Sequence, residues 1–407
     1  METDVLIVGA ELDGLVAAIR LLELGRSVDL ISAGQGSLNY NSAGLHVLGC
    51  IRDRDHSKNL MLPGELDYLP DRHPYRLIGW PHIKAAIDWF IELGGRLGYP
   101  FCQPSVDFLE LTAIGSSRPI YSPARFQAQW PSVTGIAATI EFSGYIDSLA
   151  NIVSQGLLKD GVRSEVVVID HFVGKSTSSI GLARAFDNQN DAENVFEKIK
   201  SSLSEETEVV LFPAILGFQN HIATVELAES IIGLQCREIP TLPPSIPGRR
   251  LNDILMLEFN RLGGLFHGTS NIVRSIQEGN FVNGLVDANG MTYKFDSLII
   301  ASGGILMGGL TVDHLGTVHE SILDLRVRQI GPLFGLTSEN ALAALHTTGV
   351  EVDEELRPLK EGEPCLNNVY VVGRTLANWD PSTEGSTEGV SIGTGFCSAE
   401  FANRALG

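Results

Sequence analysis

The segment Gly9-Ala-Glu-Leu-Asp-Gly14 directly follows the apolar run Val5–Val8. A turn of this kind at a strand end can seat the diphosphate of a dinucleotide. It does so with three glycines: one makes the turn, one lets the backbone approach the phosphates, and one lets the helix pack on the strand. Gly9 and Gly14 hold the outer places, and Glu11 holds the middle one. A carboxylate about 4 Å from a phosphate charge costs roughly 4 kcal/mol at an effective dielectric of ~20, or about a thousandfold in affinity. Ser32 is a second departure. It ends the next strand, where a carboxylate ordinarily holds the adenosine ribose. The expected nucleotide contacts in this region are Gly9, Ala10, Leu12, Gly14 and Ser32, with Ser42 added from the glycine-rich loop Gly34–His46.

Few other groups are spaced for chemistry. His46, His73 and His82 stand apart from one another and are expected to be satisfied structural groups. Arg249 and Arg250 are expected to form a solvated helix start, with an anion or a partner carboxylate as the alternative. Cysteines at 50, 102, 236, 365 and 397 make no C-x-x-C pair, so no metal or iron–sulfur ligation by this chain is expected. No Ser-His-Asp order or paired-carboxylate spacing stands out.

The elements that must position these residues follow from periodicity. Asp4–Val8 reads as a buried parallel strand, and Leu15, Ala18, Ile19 and Leu22 as a helix face stopped at Gly25. Ser27–Ser32 reads as the second strand, which completes a βαβ start of the dinucleotide-binding type. A helix is predicted over Pro81–Leu97, mixed strands over 105–150, and short strands at Val166–Ile169 and Val209–Phe212 with a polar helical stretch, Ser176–Glu206, between them. The proline-rich run Pro240–Gly248 reads as a rigid connector into a helix over Leu251–Leu262. Beyond it lie a hairpin turn at Asp287–Gly290, strands at Tyr293–Ile300 and Asn368–Gly373, and a last helix opening at Gly389–Gly395. The predicted class is α/β: a Rossmann-like flavoprotein fold of the FAD/NAD(P)-binding type, discontinuous over 1–104 and 246–407, with an inserted α+β lobe at 105–245.

With 407 residues, 44% hydrophobic and 19% charged, the chain can bury a large core. A net charge of −20 argues against nucleic acid and against adhesion to an anionic membrane surface. No apolar run approaches the ~20 residues of a membrane span, and the apolar run at the start lacks a basic leader. The expected setting is cytoplasmic, with no direct membrane insertion.

Several segments together resemble a known family. Gly34-Gln-Gly-Ser-Leu38, His73-Pro-Tyr-Arg-Leu-Ile-Gly79, Pro240-Thr-Leu-Pro-Pro-Ser245, Ala301-Ser-Gly303, and Asp380-Pro381 followed by Gly389-Val390 occur in the order and spacing of the B subunit of anaerobic glycerol-3-phosphate dehydrogenase. The resemblance runs from residue 1 to about 402. It implies one subunit of a three-part enzyme that oxidises glycerol 3-phosphate to glycerone phosphate and passes electrons towards a quinone. The implied partners are a catalytic FAD subunit and an iron–sulfur subunit that contacts the membrane, where this chain would be peripheral. The expected flavin contacts here are Ala301, Ser302, Gly303, Gly373, Arg374, Asp380, Gly389 and Val390. Asp380 would meet a ribityl hydroxyl, and the last helix would offer N–H groups to the ring. Arg374, which replaces a small residue, and the run Ser382–Glu388, which replaces a glycine-rich stretch, depart from the family pattern. FMN is the expected cofactor, since it needs neither an acid at Ser32 nor a diphosphate path past Glu11. FAD and an empty site are the alternatives. The rival functions are a free-standing FAD oxidoreductase and a scaffold subunit.

Overall fold

The computed structural model describes residues 2–34, 36–48, 63–105, 107–170, 177–268, 270–331, 333 and 338–407. Gln35, Cys50 and Ser176, named above, lie outside the described residues.

Strand β1 (Glu2–Val8), apolar and buried from Val5 to Val8, sits in the middle of a seven-stranded sheet. Helix α1 (Leu12–Glu23) and strand β2 (Val28–Ser32) follow as the sequence predicts. β1 pairs in parallel with β2 on one side and with Thr292–Ile300 on the other. Leu265–Gly268 lies beyond β2, and Val369–Val371 beyond Thr292–Ile300, again in parallel. Phe281–Asp287 pairs antiparallel with the first part of Thr292–Ile300, and Ile272–Glu278 pairs antiparallel with Phe281–Asp287. The hairpin between Phe281–Asp287 and Thr292–Ile300 closes through Gly290 N–H to Asp287 O at 3.0 Å.

Register explains how distant segments meet. Val8 pairs with both Ile31 and Ile300, and Ile300 with Val371. Gly9 and Ala301 just after these strands, Ser32 at the end of β2 and Gly373 two residues past Val371 therefore gather along one edge of the sheet. Gly9 adopts φ +119°, and a Cβ there would overlap the Ala301 carbonyl oxygen. A Cβ on Gly14 would overlap the Gly9 carbonyl oxygen, so that glycine serves helix-to-strand packing.

The second lobe carries a four-stranded sheet in the order Ser164–Ile169, Ile136–Phe142, Thr207–Pro213, Gln235–Ile239, every pair parallel. Helices Ala150–Lys159, Ser179–Phe186, Gln189–Ser202 and His221–Ile232 connect the strands. Strands and helices thus alternate here, where the sequence suggested α+β with mixed strands. Leu109–Leu111 and Ser117–Pro119 form an antiparallel pair in this lobe. The cause is visible in the strands: Val209 to Pro213 are all buried, as expected where helices cover both faces. The predicted helical stretch before Thr207 is two helices, split where Asn188 caps the second one through Asn190 N–H at 3.1 Å. The connector passes directly into a helix, Ile246–Arg261, capped by Ser245 Oγ accepting from Gly248 N–H at 3.0 Å.

Arg250 turns inward from that helix, which corrects the expected solvated helix start. Its Nη1 and Nη2 donate to Glu238 Oε2 and Oε1 at 2.6 and 3.1 Å, and its Nε to Gly217 O at 2.8 Å. Leu216 N–H donates to Glu238 Oε1 at 2.7 Å. The two side chains are 4% and 5% exposed, so this ion pair is buried where the connector helix meets the second lobe. Burial and the Arg250 charge push His221 beside it down to about 4. Arg250→Met strands a buried carboxylate and is expected to cost about 3–5 kcal/mol in urea unfolding. Adding Glu238→Gln, which keeps the acceptor for Leu216, is expected to recover part of that loss. A single variant as stable as the parent would contradict the assignment.

Candidate functional site

A cleft of about 280 Å³ opens at the carboxyl ends of β1, β2 and Thr292–Ile300. Gly9, Ala10, Glu11, Ser32, Gly34 and Ser302 are among its walls. The carboxyl edge of a parallel sheet, next to a helix N-terminus, is where such folds hold nucleotide phosphates. Four expected contacts, Gly9, Ala10, Ser32 and Ser302, line the cleft. Leu12, Gly14, Ala301 and Gly303 are buried in the framework around it. The Ser302 hydroxyl is buried there without a hydrogen-bond partner. The Ser32 hydroxyl donates to Gly34 O at 2.9 Å, which holds the loop after β2 close to the strand end.

Glu11 stands at the N-cap position of α1, extended at φ −75° and ψ 175°, yet its side chain makes no cap bond. Instead Oε2 accepts from the Ser37 N–H at 3.0 Å and also from the Ser37 hydroxyl. Burial raises the Glu11 pKa, while the Ser37 bonds and the Arg374 charge act against that rise. The carboxylate expected to stand in the diphosphate path is therefore tied to the neighbouring loop, and it still lines the cleft.

Asp13 is a site residue that sequence reasoning misses. It is 1% exposed and accepts from Gly14 N–H at 2.9 Å. Burial, with the Glu11 charge added, pushes it up to about 8. A Cβ on Gly373, at φ +61°, would overlap the Asp13 carboxylate, so that glycine makes room for a side chain of its own fold. Arg374 completes a charged cluster. Its Nη2 bonds His346 Nδ1 at 3.2 Å, its guanidinium lies 4.9 Å from the Trp379 ring centre, and its Nη1 is buried without a hydrogen bond. Burial lowers the Arg374 pKa, opposed by Asp380, Glu11, Glu384 and Asp13. The signal for this cluster lies within the turn itself, where acids occupy two of the positions between Gly9 and Gly14.

The residues expected at the flavin ring are committed to intrachain partners. Gly389 N–H donates to His46 O at 3.0 Å and Val390 N–H to Ser386 O at 2.9 Å, so neither is free for a ring edge. A Cβ on Gly389 would overlap the Tyr75 hydroxyl. Asp380 Oδ1 caps a short helix through Ser382 N–H at 3.0 Å, and Ser42 Oγ donates to Glu110 Oε2 at 3.3 Å. Gly373 N–H donates to Thr394 Oγ1 at 3.0 Å. His46 bridges two buried acids, with Nδ1 at 2.9 Å from Glu388 Oε2 and Nε2 at 3.0 Å from Glu110 Oε1. Burial acts to lower its pKa, but the two carboxylates outweigh that and raise it to about 9. Gln127 Nε2 and Arg118 Nε also donate to Glu110, at 2.6 and 2.7 Å. His73 Nδ1 accepts from Tyr75 N–H at 3.0 Å while Nε2 faces Glu384 at 3.0 Å, and His82 Nδ1 lies 3.0 Å from Ile78 O. All three histidines have structural partners. Among the described residues no group of His, Cys, Asp and Glu is arranged to hold a metal ion.

The residues present fit the adenosine–diphosphate half of a flavin nucleotide. The cleft is open at the end of β2, the ribose side, and the unpartnered Ser302 hydroxyl is available to a ligand oxygen. Glu11 is discordant, and Ser32 stands where a ribose-holding carboxylate is usual.

The sequence matches the family described as "FAD binding domain" over residues 4–390. Among curated relatives, the B subunit of anaerobic glycerol-3-phosphate dehydrogenase from Yersinia pseudotuberculosis is 28% identical, covering 96% of this chain and 96% of that protein. The protein of the same name from Yersinia enterocolitica is 29% identical, covering 98% of each. Among solved structures, 3-ketosteroid delta1-dehydrogenase from Sterolibacterium denitrificans covers 99% of this chain and all of its own, with a TM-score of 0.47 at 10% identity.

Asp13 supplies a test of this turn. Its folded value of about 8 lies above the ordinary 3.8, so the folded state keeps a proton that the unfolded chain releases. Stability is then expected to fall by up to about 1.4 kcal/mol per pH unit between those values. Asp13→Asn keeps an acceptor for Gly14 and removes the titration. At neutral pH it is expected to exceed the parent in stability by up to about 4 kcal/mol, with a flatter pH profile in chemical denaturation. Parallel profiles for the two proteins would refute this.

Proposed function

We infer the function from one premise: the chain belongs to the FAD binding domain family. It is a flavin-binding subunit of a glycerol-3-phosphate dehydrogenase-like complex that oxidises glycerol 3-phosphate to glycerone phosphate. The observation that carries this is the open strand-end cleft in a chain related over nearly its full length to the B subunits of that enzyme. A flavin, when bound, supplies one- and two-electron transfer. The protein's part is to hold the nucleotide: Gly9, Ala10, Ser32 and Ser302 contact it, while Leu12, Gly14, Ala301 and Gly303 hold those contacts in place. Residues 1–104 and 246–407 form the nucleotide-binding unit and 105–245 a second unit. Buried apolar residues support that division, grouping as 5–101 with 251–402 and separately as 126–246.

The choice of flavin shifts from the sequence-based expectation. FMN, which lacks an adenosine half, suits the altered turn, but the open space lies at the β2 end that an adenosine half needs. FAD is therefore the flavin of this reading. The partners are a catalytic FAD subunit and an iron–sulfur subunit carrying electrons towards a quinone. No helix of the described residues is long and apolar enough to cross a membrane, which suits a cytoplasmic chain held at the membrane through partners. A scaffold subunit with no flavin is the second reading, favoured by the internal commitments of Gly389 and Val390.

Flavin released from the purified complex and separated by chromatography is expected to include FAD bound by this chain. A correctly assembled complex in which this chain is colourless would favour the scaffold. The isolated chain is expected not to reduce a dye with glycerol 3-phosphate. Two buried acids stand at the phosphate turn, the net charge is −20, and no cationic cradle lines the cleft among the described residues. Robust turnover by the chain alone would overturn the assignment of catalysis to a partner.

A further inference from the structure

We propose that Glu11 is a resident anion of the nucleotide cleft: its carboxylate stands on the Ser37 N–H and O–H donors, and a ligand diphosphate enters only as Glu11 takes up a proton. The inference rests on the flavin-nucleotide reading of the cleft.

The geometry has three parts. The Ser37 N–H, 3.0 Å from Glu11 Oε2, and the Ser37 hydroxyl open a short 3-10 helix after β2, next to Gly36, which lines the cleft. Paired backbone and hydroxyl donors of this kind are what nucleotide phosphates ordinarily engage. Here an internal carboxylate holds them. Second, Glu11 is 8% exposed yet remains a wall of the cleft, so its charge meets a bound phosphate from largely buried surroundings. Third, no Lys, Arg or His lines the cleft among the described residues to screen a phosphate from that carboxylate.

The surrounding charges set the direction. Asp13 on α1 is like-charged when ionised. Arg374, after Val369–Val371, opposes it, with Asp380, Glu384 and His346 grouped around that guanidinium. Burial already raises Glu11, and an incoming diphosphate raises it further by like-charge repulsion. Proton uptake and nucleotide binding are then linked, and affinity falls as pH rises, by up to about tenfold per unit. Asp13 holds its own proton up to about 8, so below that value the linkage belongs to Glu11.

The test titrates the full chain, freed of nucleotide, with FAD, whose diphosphate has no group titrating around neutral pH. Calorimetry in two buffers of different ionisation enthalpy is expected to show close to one proton taken up, and affinity to weaken with rising pH. Glu11→Gln, which keeps an acceptor for Ser37, is expected to bind FAD more tightly at the upper end and to flatten the profile. Ser37→Ala removes one hydrogen bond that stabilises the carboxylate and is expected to move the fall to higher pH, which keeps the proposal testable if Glu11→Gln does not fold. FAD binding that is independent of pH in the parent, or a slope unchanged in Glu11→Gln, would overturn the proposal and leave the flavin reading intact. No FAD binding by parent or either folded variant would overturn both.

Discussion

The contact on which the site depends is the approach of Gly9 to the Ala301 carbonyl. β1 and Thr292–Ile300 run in parallel register to Val8 and Ile300, so their next residues meet at the sheet edge. No side chain fits between them. Because Gly9 turns there at positive φ, α1 starts against the strand ends, Gly14 settles on the Gly9 carbonyl, and Gly395 of the last helix packs against the Asp13 carbonyl. The cleft is the space left over at that edge. A bulkier Gly9 would force the strand ends apart and move every wall of the cleft.

The chain buries charged groups at this edge and elsewhere, and their compensation differs. Glu238 and Arg250 form a two-point pair where the connector helix meets the second lobe. Glu110 and Glu388 share the His46 ring, which joins segments from residues 46, 110 and 388. Burial alone would raise the Glu110 pKa, but His46 and Arg118 outweigh it and hold that carboxyl down to about 2. The Asp13 carboxyl bonds the Gly14 N–H rather than a cation, so it stays neutral over most of the ordinary pH range. The same burial therefore produces opposite charge states, decided by whether a counter-charge is close.

The two ends of the expected flavin site are built differently. At the β2 end, walls of glycine, serine and short aliphatic side chains leave space. At the start of the last helix, the N–H groups are spent on His46 and Ser386, and Gly389 serves close packing against Tyr75. Glycines that read as room for a ligand can equally be room for the protein's own side chains. Gly373, pressed on Asp13, is the clearest case.

The local frame was readable from residue order alone. Apolar runs bounded by glycine made β1, α1 and β2 legible, and the 3.6-residue period marked the helix that runs Trp80–Arg96. The cost of a carboxylate in a phosphate turn was also legible, because it follows from residue type and position. Where Glu11 points, that Asp13 is buried and neutral, that Arg250 faces Glu238 and that Gly389 has no free N–H were settled by packing. Period and propensity act over a few residues, whereas these outcomes rest on partners far along the chain: Glu388 lies 342 residues from His46. A side chain's burial and counter-charge are properties of the packed chain, and no local pattern encodes them.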